Sequence, residues 1–298
     1  MDRRTCVITG ANSGIGRAAA IQLAREGWHV VLACRSRERS ETALREVEAA
    51  GGAGSARLML VDLSSQASIR RFAGELQDAY ERLEGLLHNA ADFDVGRSRP
   101  LPTVDGVESV WATNHLGPVL LTELLLPALR SSRQGRIVTV SSKGLTLYPR
   151  LTVDFEDPEF QRRKFSAQKA YYQSKLAQVM YTYWLAGQLA GSGATVNCVR
   201  VTNVKIDIRR YPDLSALQRL AYGLKSRFSI TPEEMARTYV YLLASPEVAD
   251  VSGRCFDENR KVMNTSAFSC DGAAIEKLMS LTERYLGPLA ASRSRAPE

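Results

Sequence analysis

Short apolar runs alternate along the chain with longer stretches in which apolar residues recur at helical spacing. The runs "TCVIT" (Thr5–Thr9), "HVVLA" (His29–Ala33), "RLMLV" (Arg57–Val61), "LEGLLH" (Leu83–His88), "RIVTV" (Arg136–Val140) and "TVNCVRV" (Thr195–Val201) read as strands, with a short one at "RCF" (Arg254–Phe256). Strands that are apolar throughout belong to a sheet covered on both faces. Between them, Gly14–Glu26, Glu38–Ala50, Ser65–Arg82, Asp105–Leu129 and Ala170–Ala190 read as amphipathic helices. "TPEE" starts another, with Thr231 as N-cap, Pro232 at the first helical position and Glu234 closing a capping box. The alternation predicts an α/β fold, a doubly wound parallel sheet with helices on both faces. No linker rich in Pro, Gly or Ser divides the chain, so a single domain is expected over residues 1–290, followed by a disordered tail at 291–298.

Composition narrows the class. With 45% hydrophobic and 24% charged residues, the 298-residue chain is an ordinary globular sequence. The net charge of +7 is spread out, and no basic stripe with a recognisable module points to nucleic acid. No apolar run approaches the roughly 20 residues needed to span a membrane. The start, "MDRRTCVITG", turns apolar too briefly for a secretory leader, so a cytoplasmic protein without a membrane anchor is expected. Cys6, Cys34, Cys198, Cys255 and Cys270 form no C-x-x-C pair and read as small buried or surface thiols. His29, His88 and His115 lack metal-ligand spacing, and no metal site is expected.

The first strand runs into "TGANSGIGRAAA" (Thr9–Ala20), where Gly10, Gly14 and Gly16 precede a helix. Glycines let backbone approach a pyrophosphate, and the helix N-terminus offers free N–H groups and the positive end of its dipole. A tight turn without a ligand is the competing reading. The second strand ends "LACRSRER", with no carboxylate before Glu38 to take a ribose 2′-OH. Arg35 and Arg37 suit a 2′-phosphate instead, with Arg17 in reach, which favours NADP(H) over NAD(H). Solvated surface arginines are the alternative.

In "KAYYQSKLAQVMYTYWLA" (Lys169–Ala186), Tyr171 and Tyr172 each stand about one helical turn before Lys175. At about 100° per residue, Tyr171, Lys175, Gln178 and Thr182 share a polar stripe. Tyr172, Leu176, Val179, Tyr183 and Ala186 share an apolar one, so Tyr172 reads as packing and Tyr171 as the partner of the lysine.

Together, Thr9–Gly16, "HNAA" (His88–Ala91), Asn114, Ser142 and Tyr171-x-x-x-Lys175 resemble the short-chain dehydrogenase/reductase family, from the first strand to about Phe256. "WATNHLGPVLLTELLLPAL" and the tyrosine helix are most similar to its retinol-dehydrogenase-like branch. The resemblance implies a Rossmann fold and hydride transfer between a nicotinamide and a carbonyl or alcohol of a small, fairly hydrophobic molecule. It implies a tetrad in which Tyr171 is the general acid/base. Lys175 lowers the phenol's pKa and holds the nicotinamide ribose, Ser142 binds the substrate oxygen, and Asn114 holds a relay water. It implies cofactor contacts from Gly10, Asn12, Ser13, Gly14, Ile15, Gly16, Asp62, Leu63, Asn89, Ala90, Ala91 and the backbone of Val204. Taken singly, Ser142 can satisfy a strand end, Asn114 or Asp62 can cap a turn, and Lys175 can be solvated; it is their joint order that favours the tetrad. A homodimer or homotetramer paired through Ala170–Ala190 would follow the family's habit.

Two departures stand out. His88 and Ala91 replace Asn and Gly in the family's N-N-A-G. After the sixth strand, Val201 and Thr202 replace Pro-Gly, and Ile206 stands where a cofactor-binding threonine is usual; Thr202 or Asn203 can compensate. The stretch 203–228 reads as a lid, which with Leu145, Leu147, Tyr148, Leu214, Leu217 and Tyr222 would enclose an apolar substrate. These departures keep two alternatives open: a cyclisation or isomerisation on the same fold, and a non-catalytic NADP(H)-binding regulator.

Overall fold

In the computed structural model, residues 3–51, 55–205 and 229–289 are described. The strands are β1 (Thr5–Thr9), β2 (His29–Cys34), β3 (Ala56–Leu60), β4 (Gly85–His88), β5 (Arg136–Ser142), β6 (Thr195–Val201), β7 (Arg254–Phe256) and β8 (Val262–Met263). They form one sheet in the order β3-β2-β1-β4-β5-β6-β7-β8. β1 to β7 are parallel, and β8 closes the edge antiparallel to β7. This is the doubly wound Rossmann arrangement, and its strand order reverses between β1 and β4, where such sheets open a crevice.

The helices are α1 (Gly14–Arg25), α2 (Glu41–Gly51), α3 (Gln66–Ala79), α4 (Ser109–Trp111), α5 (Gly117–Arg130), α6 (Ala167–Gln188), α7 (Pro232–Ala244) and α8 (Gly272–Leu286). Two cores sandwich the sheet. One gathers α3, α5, α6 and α8 on a face of the strands through residues such as Phe72, Trp111, Leu125, Tyr181 and Leu278. The other gathers α1 and α7 through Leu23, Trp28, Tyr239 and Leu243. β1, β4 and the first six residues of β5 are buried without alternation, as their apolar runs predict.

The capping box at Thr231 forms as expected: Thr231 Oγ1 accepts from Glu234 N at 3.1 Å and Glu234 Oε2 from Thr231 N at 2.7 Å. The single helix expected over Asp105–Leu129 is broken. Gly106 turns with φ +76°, Glu108 caps α4, and Ala112–Leu116 form a π-turn before α5. α8 and β8 were not anticipated from the sequence. α8 lies against α6, the helix that the resemblance offered for pairing, with Leu278 and Leu281 in one core with Tyr181, Trp184 and Leu185. Thr282 on α8 also hydrogen-bonds His115 at 2.8 Å. Among the described residues, no helix is long and apolar enough to cross a membrane, and no cluster of His, Cys, Asp and Glu could hold a metal. Most of the expected lid, including Ile206, Leu214, Leu217 and Tyr222, and the tail at 291–298 lie outside the described residues.

Candidate active site

Two joined cavities run along the carboxyl edge of the sheet and share Asn12, Ser13 and Ala91. One, of about 650 Å³, lies over the ends of β2 and β3; the other, of about 900 Å³, over the ends of β5 and β6.

The glycine loop forms the shared wall. Gly10 and Gly14 take φ +65° and +54°, where a side chain is strained. A Cβ at Gly16 would run into the Asn89 amide and the Gly10 carbonyl. Asn89 Nδ2 donates to Thr9 O at 3.0 Å and Gly10 O at 3.2 Å, and Ala90 N donates to Thr9 Oγ1 at 3.0 Å. Asn89 and Ala90 thus stitch β4 to the loop. Ser13 at the N-cap of α1 makes no side-chain cap bond, so the helix's first N–H groups keep no side-chain acceptor, and Ser13, Gly14 and Ile15 border the larger cavity. α3, α6, α7 and α8 are all capped by a side chain.

In the smaller cavity, Arg35, Ser36 and Arg39 line one side and Asp62 and Leu63 another. Asp62 also caps its turn, accepting from Ser64 N at 2.9 Å and Ser64 Oγ at 2.7 Å. Arg37 is exposed and borders neither cavity; Arg39, which the sequence reading passed over, does. Arg17 faces the larger cavity and pairs with Glu46 at 3.2 Å, so it does not join Arg35.

The larger cavity brings Ser142, Tyr171 and Lys175 together. Ser142 ends β5, lines the cavity with Tyr171, and accepts from Gly144 N at 3.2 Å. Ser141, its neighbour, is buried. Lys175 is 2% exposed and donates to the Val140 carbonyl at 3.0 Å; burial pushes its pKa down to about 8, against a smaller upward pull from Cys198. The Tyr171 pKa is pushed up to about 12, chiefly by burial and then by Tyr172, with Ser142 opposing. This corrects the expectation that the ammonium lowers it: Lys175 Nζ sits 5.6 Å from the Tyr171 ring centroid and is turned to a carbonyl.

Phe93, which sequence reasoning missed, stacks on Tyr171 with centroids 4.1 Å apart. Tyr172 meets Tyr171 edge-on at 5.4 Å and packs on Gly144, where a Cβ would collide with its ring. Tyr172 is therefore a packing residue, as its stripe suggested, but at the cavity wall and half-buried. Leu147 joins this apolar rim, 74% exposed, whereas Leu145 packs into the core. Only a periodicity of 3.6 was legible around Tyr171; Phe93 comes from a loop and Gly144 from a short 3-10 turn, where no such signal marks them.

Asn114 lies in the π-turn and is buried. Its Oδ1 accepts from Asp92 N at 2.6 Å, while Nδ2 donates to Asp92 O at 2.9 Å and Ser174 Oγ at 3.1 Å. Its amide is thus a strap holding the loop that carries Phe93. Asp92 in turn takes a bidentate pair from Arg97 at 3.0 and 3.1 Å. His88, below the site, shares a 2.7 Å hydrogen bond with Thr122; burial, then Lys175, pushes its pKa down to about 3, so it is neutral.

Val204 borders the larger cavity with Val201, Thr202 and Asn203, and bridges Ile230. Lys205 N donates to Ile230 O at 2.9 Å and Ile230 N to Asn203 O at 3.1 Å, so Asn203–Lys205 and Ile230 are tied together.

A glycine-lined helix N-terminus at one end and a Ser–Tyr–Lys cluster at the other, across the switch point of a parallel sheet, define a dinucleotide-dependent oxidoreductase fold. The family model for short chain dehydrogenases matches residues 4–152, and the chain belongs to this family. Its relatives include retinol dehydrogenase 14 of Mus musculus, 38% identical over 97% of this chain and 87% of that one. Retinol dehydrogenase 13 of Homo sapiens is 37% identical over 85% of this chain and 76% of its own. The branch is therefore the retinol-dehydrogenase-like one. A crystal structure of a Mycobacterium paratuberculosis protein superposes with a TM-score of 0.71 at 30% identity, covering 95% of this chain and 92% of that one. A short chain dehydrogenase from Shigella flexneri, complexed with NADP, shares the fold at a TM-score of 0.63 and 23% identity, covering 87% of this chain and 98% of that one.

Proposed function

We propose that the protein is an NADP(H)-dependent oxidoreductase that interconverts a carbonyl and an alcohol on a fairly hydrophobic small molecule, with Tyr171 as the proton-transferring group. The observation that carries this reading is the convergence of Ser142, Tyr171 and Lys175 on one cavity that continues to the bare N-terminus of α1. The groove fits a dinucleotide: a side chain at Gly16 would fill the loop, and α1 presents N–H groups without a side-chain cap for a pyrophosphate. Arg35 and Arg39 supply the guanidinium groups a 2′-phosphate requires. When bound, the nicotinamide supplies or accepts the hydride.

The chain's own residues handle the oxygen and its proton. With its pKa near 12 by burial, Tyr171 stays protonated through the neutral range and serves as a donor to a carbonyl oxygen. Ser142, on the same cavity wall as Tyr171, donates to the same oxygen as negative charge develops. Lys175, its Nζ 5.6 Å from the Tyr171 ring centroid, supplies a nearby positive charge that favours the phenolate once the proton has gone, an effect that burial outweighs in the resting phenol. Phe93, Tyr172 and Leu147 give the cavity an apolar rim, and the relatives' names support an apolar alcohol or aldehyde as substrate.

The test is NADPH oxidation with a panel of hydrophobic aldehydes and ketones, and NADP+ reduction with the alcohols, with products analysed by mass. A product differing from its substrate by two hydrogens supports the reading; a rearranged product of unchanged mass contradicts it. Replacing Arg35 by Ala is expected to weaken NADPH binding about tenfold or more, the loss of one charge-assisted contact, and to leave NADH binding unchanged.

A further inference from the structure

Among the described buried polar side-chain atoms left without a hydrogen-bond partner, the hydroxyl of Tyr239 is the one whose residue borders the larger cavity. Tyr239 lies in the middle of α7 and is 0% exposed. Its ring is fixed in the core beneath β5 and β6 with Val140 and Val199, and Val201 and Val204 pack against the same cluster. It borders the cavity that holds Ser142, Tyr171 and Lys175, where the Tyr171 phenol adds to burial in raising its cost of ionising, and it has no share in the smaller cavity near Arg35. Burial keeps the hydroxyl neutral, so it can donate one hydrogen bond and accept another.

A buried hydroxyl with no partner costs on the order of 1–3 kcal/mol, and an apolar ring of the same shape would avoid that cost. Such a group at a cavity wall is explained by a partner that arrives with a ligand. On the neighbouring wall Val201 and Val204 are apolar and only Thr202 and Asn203 carry polar side chains, and the Asn203 carbonyl is already taken by Ile230 N. A flat ring carrying one amide, entering between this wall and Lys175, needs a polar contact on this side, and Tyr239 offers one.

We propose that the Tyr239 hydroxyl is a cofactor-binding group that hydrogen-bonds the carboxamide of the nicotinamide. This assignment rests on the nicotinamide-dependent reading above. It gives α7 a part in holding the reactive end of the cofactor, in addition to its packing against α1.

The experiment compares the full chain, Tyr239→Phe and Tyr181→Phe by calorimetric titration with NADP+ and with adenosine bisphosphate, the fragment that lacks nicotinamide. Tyr181 is equally buried but borders neither cavity. Tyr239→Phe is expected to weaken NADP+ binding about fivefold, the scale of one neutral hydrogen bond. It should leave the fragment's affinity unchanged and the melting temperature no lower, since a stranded hydroxyl has been removed. Tyr181→Phe should leave both affinities unchanged. Equal NADP+ affinity in wild type and Tyr239→Phe overturns the assignment while leaving the oxidoreductase reading intact. So does a matching loss for the fragment, which would mean a distorted groove. Failure of the wild type to bind NADP+ or NAD+ overturns the cofactor reading, and this assignment with it.

Discussion

At Lys175, burial and a carbonyl partner compete over one ammonium. The side chain is 2% exposed and its pKa is pushed down to about 8, so it is charged below that pH and neutral above it. If its charge supports proton release from Tyr171, carbonyl reduction is expected to hold steady from pH 6 to 7 and to decline as pH rises through about 8. A pH profile of kcat/KM for the reduction checks this, and a rate still rising above pH 9 would contradict it. Gly16 makes a steric prediction. Its missing Cβ is the space occupied by the Asn89 amide, which ties β4 to the loop. Gly16→Ala is expected to weaken dinucleotide binding by at least about tenfold, since a contact that close forces backbone or the Asn89 tie to move; fluorescence titration with NADPH reads it. The glycines, the serine and the Tyr–Lys pair were legible because each is a residue type at a fixed offset. The raised Tyr171 pKa was not, because it depends on Phe93 and Tyr172 closing over the phenol.

Among the elements, α6 and the α4–α5 segment illustrate two different limits of periodicity. The polar stripe Tyr171–Lys175–Gln178–Thr182 is real, but it faces β5 instead of solvent: Lys175 reaches Val140 O, and Thr182 hydrogen-bonds Thr139 at 2.6 Å. Helical phase separates the two tyrosines because the stripe is matched to the strand that carries Ser142. In the second segment, apolar spacing runs unbroken from Val107 to Leu129 and gives no sign of the π-turn. That turn aims Asn114 at the backbone of Asp92, a tertiary contact that no local pattern encodes. Asn114→Ala strands the partly buried N–H and C=O of Asp92, which costs at most about 1–3 kcal/mol. At roughly 2–4 °C per kcal/mol for a chain of this order of size, a fall of several degrees in melting temperature is expected. Calorimetry checks it, and an unchanged melting temperature would remove the strap.

Over the whole molecule, the parallel order and the two covered faces followed from strands that are apolar on both sides. α8 did not, because its amphipathic pattern says that it packs but not where. Its apolar side covers Tyr181, Trp184 and Leu185 of α6. Ending the chain after Ser266 would uncover them together with the loss of Ile275, Leu278, Met279 and Leu281. Each fully buried side chain of this size is worth about 1.5–3 kcal/mol, so the total rivals the stability of a typical domain. The truncated chain is expected to associate or aggregate, read by light scattering; a monomer with an unchanged melting temperature would show that α8 is dispensable.

The central claim is that one phenol, chosen from two adjacent ones, passes the proton. The direct measurement is the single-turnover rate of carbonyl reduction in wild type, Tyr171→Phe and Tyr172→Phe, with NADPH affinity determined for each. The account predicts that Tyr171→Phe loses about 10²–10⁴-fold in rate, the usual worth of a positioned acid, while still binding NADPH. Tyr172→Phe should retain substantial activity. Reversed outcomes, or equal rates in all three proteins, would contradict it.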